Sequence, residues 1–212
     1  MNTQKEIDKY ILNHINPEDE VLRELDRETN LKVLGGRMIS GHLQGQLLTL
    51  FSKMIQPKNI LEIGTFTGYS AICLAKGLQK NGNLITIEID DELESIATKY
   101  FEKAGVKKYI DQRIGSALEI IPQLNKTFDL VFIDGDKREY KKYYELLFHK
   151  VKSGGYIIAD NTLWGGKVVT EPAADDNFTK CIIEFNSFIK NDKRVEKIIL
   201  PLRDGMTVIR KN

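Results

Sequence analysis

"KNILEIGTFTGYSAICLAKGL", residues 58–78, decides the fold. Its first part is apolar and runs into a turn bearing Gly64 and Gly68; its second part has the small and apolar residues of a short helix. Strand, glycine turn and helix form the repeating unit of a doubly wound α/β sheet. The unit recurs down the chain. "NLITIEID" (83–90) and "DELESIATKYFEKAG" (91–105) make a second strand and helix, and "KYIDQRIG" (108–115) leads to a short helix ending at Pro122. "FDLVFIDG" (128–135), "YKKYYELLFHKV" (140–151) and "GYIIADN" (155–161) complete the series. Strands apolar nearly throughout belong to a parallel sheet covered on both faces, with right-handed crossovers. The ending departs from this pattern. After a helix near Asp175–Lys190, "VEKIILPL" (195–202) and "GMTVIRK" (205–211) flank Arg203-Asp204-Gly205, whose Asp-Gly pair signals a turn and a closing antiparallel hairpin.

Upstream the chain reads as helices. In "KEIDKYILNHI" (5–15), Ile7, Tyr10, Ile11 and His14 or Ile15 share a stripe; "PEDEVLRELDRETN" (17–30) opens on Pro17 and acids, as a helix start prefers. "LGGRMISG" (34–41) is a loop, and a third helix runs from His42 to Ile55. The expectation is one Rossmann-like α/β domain over 1–212, with a helical N-terminal extension (1–56) and a core (57–212). Hydrophobic residues make up 42% and charged residues 29% of the 212, the balance of an ordinary globular chain. The net charge of +1 gives no field for nucleic acid or an acidic membrane, and "KREYKK" (137–142), the densest basic run, reads as the exposed first turn of a helix. Cys73 and Cys181 match no metal or redox spacing and read as reduced core thiols. No apolar run approaches the ~20 residues that span a bilayer, and the polar N-terminus lacks a secretory h-region. A cytoplasmic setting is expected.

The chemistry sits at the strand ends. Gly64 and Gly68 would let backbone approach a ligand, but the turn reads Glu-x-Gly-x-x-x-Gly and lacks the middle glycine of a dinucleotide fingerprint. Glu62 in its approach suits a cation or amino group. Glu88, ending the next strand, suits ribose hydroxyls, and Gly115, Ser116 and Ala117 after the third strand suit an adenine ring. In that order, the features favour a nucleoside with a positive centre, which is S-adenosylmethionine. "LVFIDGDK" (130–137) and "GGYIIADN" (154–161) both close apolar strands on oxygen-bearing side chains, Asp134, Asp160 and Asn161, which read either as plain strand-end acids or as ligands of one shared site. All-oxygen ligation suits Mg²⁺, Ca²⁺ or Mn²⁺ rather than zinc. His14, His42 and His149 are too scattered to be ligands.

"EIGTFTGYS" (62–70), "TIEID" (86–90), "FIDGDK" (132–137) and "ADNTLWGG" (159–166) together resemble the cation-dependent class I S-adenosylmethionine O-methyltransferases, the caffeoyl-CoA and catechol O-methyltransferase family. The likeness extends to the "EFN…DGMTVIRK" ending. It implies methyl transfer to a phenolic hydroxyl, with Asp134, Asp160 and Asn161 as metal ligands and Lys137, beside Asp134, as general base. The implied catalytic set is therefore Lys137, Asp134 and Asn161. A lysine beside a dication should have a depressed pKa, which suits that role. The resemblance also places Met38, Ser70 and backbone near Asp134 along the cofactor, and Trp164 near the substrate. Selectivity is expected around Arg37–His42 and in "LWGGKVVTEPAADD" (163–176). The acidic, arginine-free "AADDNFTKCIIEF" (173–185) disfavours a CoA phosphate tail, leaving a free catechol or caffeoyl-like acid. Hydroxyuridine methylation of transfer RNA, a nicotinamide-dependent oxidoreductase and a silent binding module stay as alternatives. The resemblance alone carries the homodimer.

Overall fold

Apolar strands alternating with amphipathic helices leave one economical solution, a sheet with helices on both faces. A computed structural model, describing residues 3–212, has that form. The chain runs α1 (Thr3–His14), α2 (Glu20–Lys32), α3 (Gly41–Ile55), β1 (Asn59–Ile63), α4 (Tyr69–Ala75), β2 (Asn83–Glu88), α5 (Glu94–Lys103) and β3 (Ile110–Ile114). It continues through α6 (Ala117–Gln123), β4 (Phe128–Ile133), α7 (Tyr140–Phe148), β5 (Val151–Ala159), α8 (Asn177–Asn191), β6 (Val195–Leu200) and β7 (Met206–Lys211). The seven strands lie in the order β3-β2-β1-β4-β5-β7-β6. The first five are parallel, and β7 runs antiparallel to both neighbours, as the Asp-Gly signal suggested.

Alternation along each strand divides the core. Leu61, Ile63, Val131, Ile133 and Ile157 face α6, α7 and α8, where Tyr140, Tyr144, Leu147 and Phe185 cover them. Ile60, Leu130, Phe132 and Ile158 face the other way, onto α2 to α5. Each such aliphatic side chain contributes roughly 1.5–3 kcal/mol when fully buried. The same period-two rule puts Glu62, Asp134 and Asp160 on the side of α3 and α4, because each stands an even number of residues from Ile60, Phe132 or Ile158.

Three local readings change. The second helix starts at Glu20, with Asp19 accepting a hydrogen bond from the Val21 amide at 2.9 Å; a side-chain acceptor there outdoes Pro17, which lies outside the helix. On α1, Ile7 and Tyr10 of the expected apolar stripe are exposed to solvent. Cys73 is buried, but Cys181 is only half-buried. Both thiols are free.

Candidate active site

Strand order reverses between β1 and β4, and in open α/β sheets that switch point opens a crevice at the carboxyl ends of the strands. A cleft of about 610 Å³ lies there, lined by Gly64, Thr65, Ser70, Glu88, Asp134, Lys137, Asp160, Asn161 and Trp164, with Arg37 and Met38 at its edge. An adjoining cavity of about 230 Å³ shares Gly64 and Glu88 with it and adds Gly115, Ser116 and Ala117. The site residues singled out in the sequence thus converge on one place, with two exceptions, Glu62 and Gly68.

Register explains the convergence. Ile133 pairs with Ala159 across β4 and β5, so Asp134 and Asp160 emerge side by side from neighbouring parallel strands, about 4.8 Å apart along the ladder. The ladder continues past both strand ends: the Asp134 amide donates to Ile63 O at 2.8 Å, and the Asp160 amide to Ile133 O at 2.9 Å. Tyr140, fully buried on α7, donates its hydroxyl to Asp160 O at 3.1 Å. Asn161 sits at φ 56°, a left-handed conformation that asparagine tolerates better than most residues. Its amide N–H donates to Asp160 Oδ1 at 2.8 Å. The side chain of Asp160 is nearly inaccessible; burial and the negative charge of Asp134 push its pKa up to about 6.

Lys137 does not extend into solvent as the helix-start reading of "KREYKK" expects. Its ammonium turns inward, donating to Asp134 Oδ1 at 2.7 Å and to Gly135 O at 3.1 Å, with the Tyr140 ring 5.3 Å away. Opposite-charge pairing in a half-buried site outweighs the hydration that a free lysine would keep. Its neighbours in the run behave as read: Arg138 pairs with Asp136 and Lys141 with Glu184 at the surface.

The acids at β1 and β2 have distinct settings. Glu88 accepts three backbone N–H groups, from Phe66 at 2.7 Å, Ile89 at 2.8 Å and Asp90 at 3.1 Å, so both its oxygens are fixed at the cleft wall. Glu62 lies fully buried beneath the cleft rather than along it. One of its oxygens accepts from Thr86 Oγ1 at 2.6 Å, and Thr65 at the cleft wall donates to Thr86 at 2.5 Å. The other, Oε1, is buried with no hydrogen-bond partner. Burial foremost, with the charges of Asp134 and Glu88 behind it, raises the Glu62 pKa to about 8.

The glycine reading also changes. A Cβ on Gly64 would lie 2.4 Å from Asp134 O, and one on Gly68 2.5 Å from the Phe101 ring. What these positions bring close is the protein itself: β1 against the end of β4, and the start of α4 against α5. Both have strongly positive φ, +97° and +92°, where other residues are strained.

Trp164 lines the cleft and stacks on Phe178, centroids 6.0 Å apart and planes 19° from parallel. The Arg138 guanidinium lies 5.0 Å from the centroid of the Phe178 ring. Two contributors escaped the sequence reading. Gln44, buried on α3, donates to Asp160 Oδ2 at 2.6 Å, and Arg203 of the β6–β7 turn reaches Gln44 Oε1 and the backbone carbonyls of Ile39 and Ser40. The one available signal was weak, a glutamine within the apolar face of "LQGQLLTLF". A separate cleft of about 510 Å³ between α3 and β5 holds only one ion pair, Lys152 with Asp129, and no convergent polar set.

A family model described as O-methyltransferase matches residues 13–212. The chain belongs to the O-methyltransferase family. A caffeoyl-CoA O-methyltransferase of Eucalyptus globulus is 37% identical over 204 residues, covering 92% of this chain and 82% of that protein. The O-methyltransferase TomG of Streptomyces achromogenes, in complex with S-adenosylmethionine, superposes with a TM-score of 0.90 at 29% identity, covering 100% of this chain and 99% of the other. An O-methyltransferase of Bacillus cereus, in complex with S-adenosylhomocysteine, gives a TM-score of 0.89 at 30% identity and 97% coverage of both chains. This methyltransferase is accordingly an enzyme of the S-adenosylmethionine-dependent class, and the nicotinamide and silent-module readings are set aside. No helix among the described residues is long and apolar enough to cross a membrane.

Proposed function

We propose that this methyltransferase moves the methyl group of S-adenosylmethionine onto a hydroxyl of a catechol or caffeoyl-like acid, with a divalent cation held by Asp134, Asp160 and Asn161. The observation that carries the reading is the pairing of Asp134 and Asp160 on adjacent strands, beside Lys137, in the same cleft as Glu88. The residues fit both ligands. The orphaned buried oxygen of Glu62 suits the positive end of the donor, reached through the Thr65–Thr86 side of the cleft. Glu88 suits the ribose, and Gly115 to Ala117 the adenine cavity. Burial, with the negative charge of Asp134 behind it, raises the Asp160 pKa, and the two carboxylates with the Asn161 amide oxygen form a hard, all-oxygen donor set that suits Mg²⁺, Ca²⁺ or Mn²⁺. Among the described residues no group of three His, Cys, Asp or Glu could compete for the ion.

Held by Asp134, Asp160 and Asn161, a divalent cation would supply positive charge that lowers the pKa of a phenolic hydroxyl from its usual value near 10. Lys137 Nζ, the only lysine amine lining the cleft among the described residues, would first release to solvent the proton with which it pairs to Asp134, and as the neutral amine would then take the hydroxyl proton. Trp164 packs the aromatic ring, and Arg37, exposed at the cleft edge, faces an acceptor carboxylate. The sulfonium donor brings its own leaving group, so the chain's share of the work is alignment and ionisation. The helices before β1 belong to the same working unit, since α3 supplies Gln44 to Asp160. A homodimer and a cytoplasmic setting accompany the reading. The test is methyl transfer from labelled donor to a panel of catechols, phenolic acids and their thioesters, with and without EDTA. Turnover of free catechols that stops with chelator and returns with Mg²⁺ is expected; turnover that persists in EDTA would remove the cation from the mechanism.

A further inference from the structure

The Asp160 carboxylate is held by two donors of different origin. Asn161 N–H donates to Oδ1 at 2.8 Å, a local contact of the strand end, and Gln44 Nε2 donates to Oδ2 at 2.6 Å from a helix 116 residues earlier. Gln44 is 1% exposed, so water cannot replace it. A primary amide can face Asp160 through either its oxygen or its nitrogen, and only the nitrogen donates. Arg203 settles which end faces the acid. A guanidinium has donors and no acceptor, and Arg203 Nη1 meets Gln44 Oε1 at 3.4 Å while also donating to the carbonyls of Ile39, at 3.1 Å, and Ser40.

Arg203 is itself fixed by the turn that carries it. Asp204 O accepts from the Leu163 amide at 2.7 Å and the Trp164 amide at 3.1 Å, and Gly205 O accepts from the Thr162 amide at 3.0 Å. The β6–β7 turn is therefore stitched to the segment that follows Asp160, and through Arg203 to the segment that precedes α3. Both walls of the cleft meet in this one turn.

From these contacts we infer that Gln44, oriented by Arg203, is a positioning residue that sets the Asp160 carboxylate for cation ligation. The inference rests on the reading of Asp160 as a cation ligand. Each Asp160 oxygen keeps a lone pair for the ion, and neither can swing away while both donors hold. Residues that orient a metal ligand in this manner typically govern affinity by about 10–100-fold.

The experiment is Mn²⁺ titration of the full-length protein at fixed pH, followed by calorimetry and by the loss of free-ion electron paramagnetic resonance signal, without acceptor. Gln44→Met keeps the unbranched bulk and loses the donor; its Mn²⁺ Kd should rise by about tenfold, with donor affinity unchanged. Arg203→Ala, a change at the less buried end, should raise the Mn²⁺ Kd in the same direction by a smaller factor. The double variant should match Gln44→Met alone, because the two act through one contact. Thr49→Val, which removes another buried hydrogen bond of α3, serves as the control: it should lower the Tm and leave Mn²⁺ affinity intact. Tight Mn²⁺ binding by wild type with an unchanged Kd in Gln44→Met would overturn the inference while sparing the cation site. Failure of wild type to bind Mn²⁺ at all would overturn the ligand reading, and the inference with it.

Discussion

Glu62→Gln should make this methyltransferase more stable at alkaline pH and worse at holding its donor. The Glu62 carboxyl is fully buried, its pKa is raised from an ordinary 4.5 to about 8, and one oxygen has no partner. A folded-state pKa above the unfolded one means that the native protein keeps a proton that the unfolded chain has released. The stability contribution of the protonated form is whole below pH 4.5 and is lost as pH climbs through the window to about 8. At 1.36 kcal/mol per unit, the full span sets a ceiling of about 5 kcal/mol. A neutral amide of the same shape has no charge to bury, and about 2 kcal/mol, well inside that ceiling, is the working figure. For a chain of this size, about 2 kcal/mol corresponds to a Tm shift of roughly 4–8 °C. Thermal unfolding of both forms, without ligand, should show near-equal Tm at pH 5 and a gap favouring the variant that widens toward pH 8.5. Isothermal titration should show donor affinity falling by about tenfold or more in the variant, the scale of a lost charge-assisted hydrogen bond. A stability difference that ignores pH, or a variant less stable at pH 8.5, would refute the electrostatic account of Glu62.

Lys137→Ala should keep donor affinity and lose about 10²–10⁴ in kcat, the range of a positioned acid–base group; single-turnover kinetics with a catechol checks it, and a donor-affinity defect with turnover spared would remove Lys137 as base. Gly64→Ala drives a Cβ to 2.4 Å from the Asp134 carbonyl at a φ of +97°, so soluble yield or Tm should fall sharply. A Gly64→Ala protein with wild-type Tm would show that β1 and β4 have room to part.

The sheet was legible because its strands are uniform. "NILEI", "NLITIE" and "FDLVFI" have no polar face to confuse with a helix, and the acids that close or follow the second and third of them lie at the rim of the sheet. The positions of Asp134, Asp160, Asn161 and Glu88 were legible for the same reason, since short-range sequence places them at strand ends and the parallel register gathers those ends, with Lys137 three residues beyond Asp134; the ligand and base roles came from the family resemblance. What escaped depends on contacts between distant segments. Gln44 and Arg203 are ordinary surface-type residues until α3 and the β6–β7 turn close on Asp160. Glu88 ends β2 and Glu62 stands one residue before the end of β1, yet one is solvated by three backbone amides and the other is sealed under Thr65 and Thr86. The glycines of the first turn were read as room for a ligand because sequence does not reveal that the Asp134 carbonyl and the Phe101 ring already occupy that room.

Anomalous diffraction from crystals of the protein grown with Mn²⁺ and S-adenosylhomocysteine bears most directly on the proposed chemistry. One manganese peak should stand about 2.0–2.3 Å from oxygens of Asp134, Asp160 and Asn161, with the nucleoside between Glu88 and Ser116. A catalytically active crystal with no peak at that position, or with manganese bound elsewhere, would contradict it.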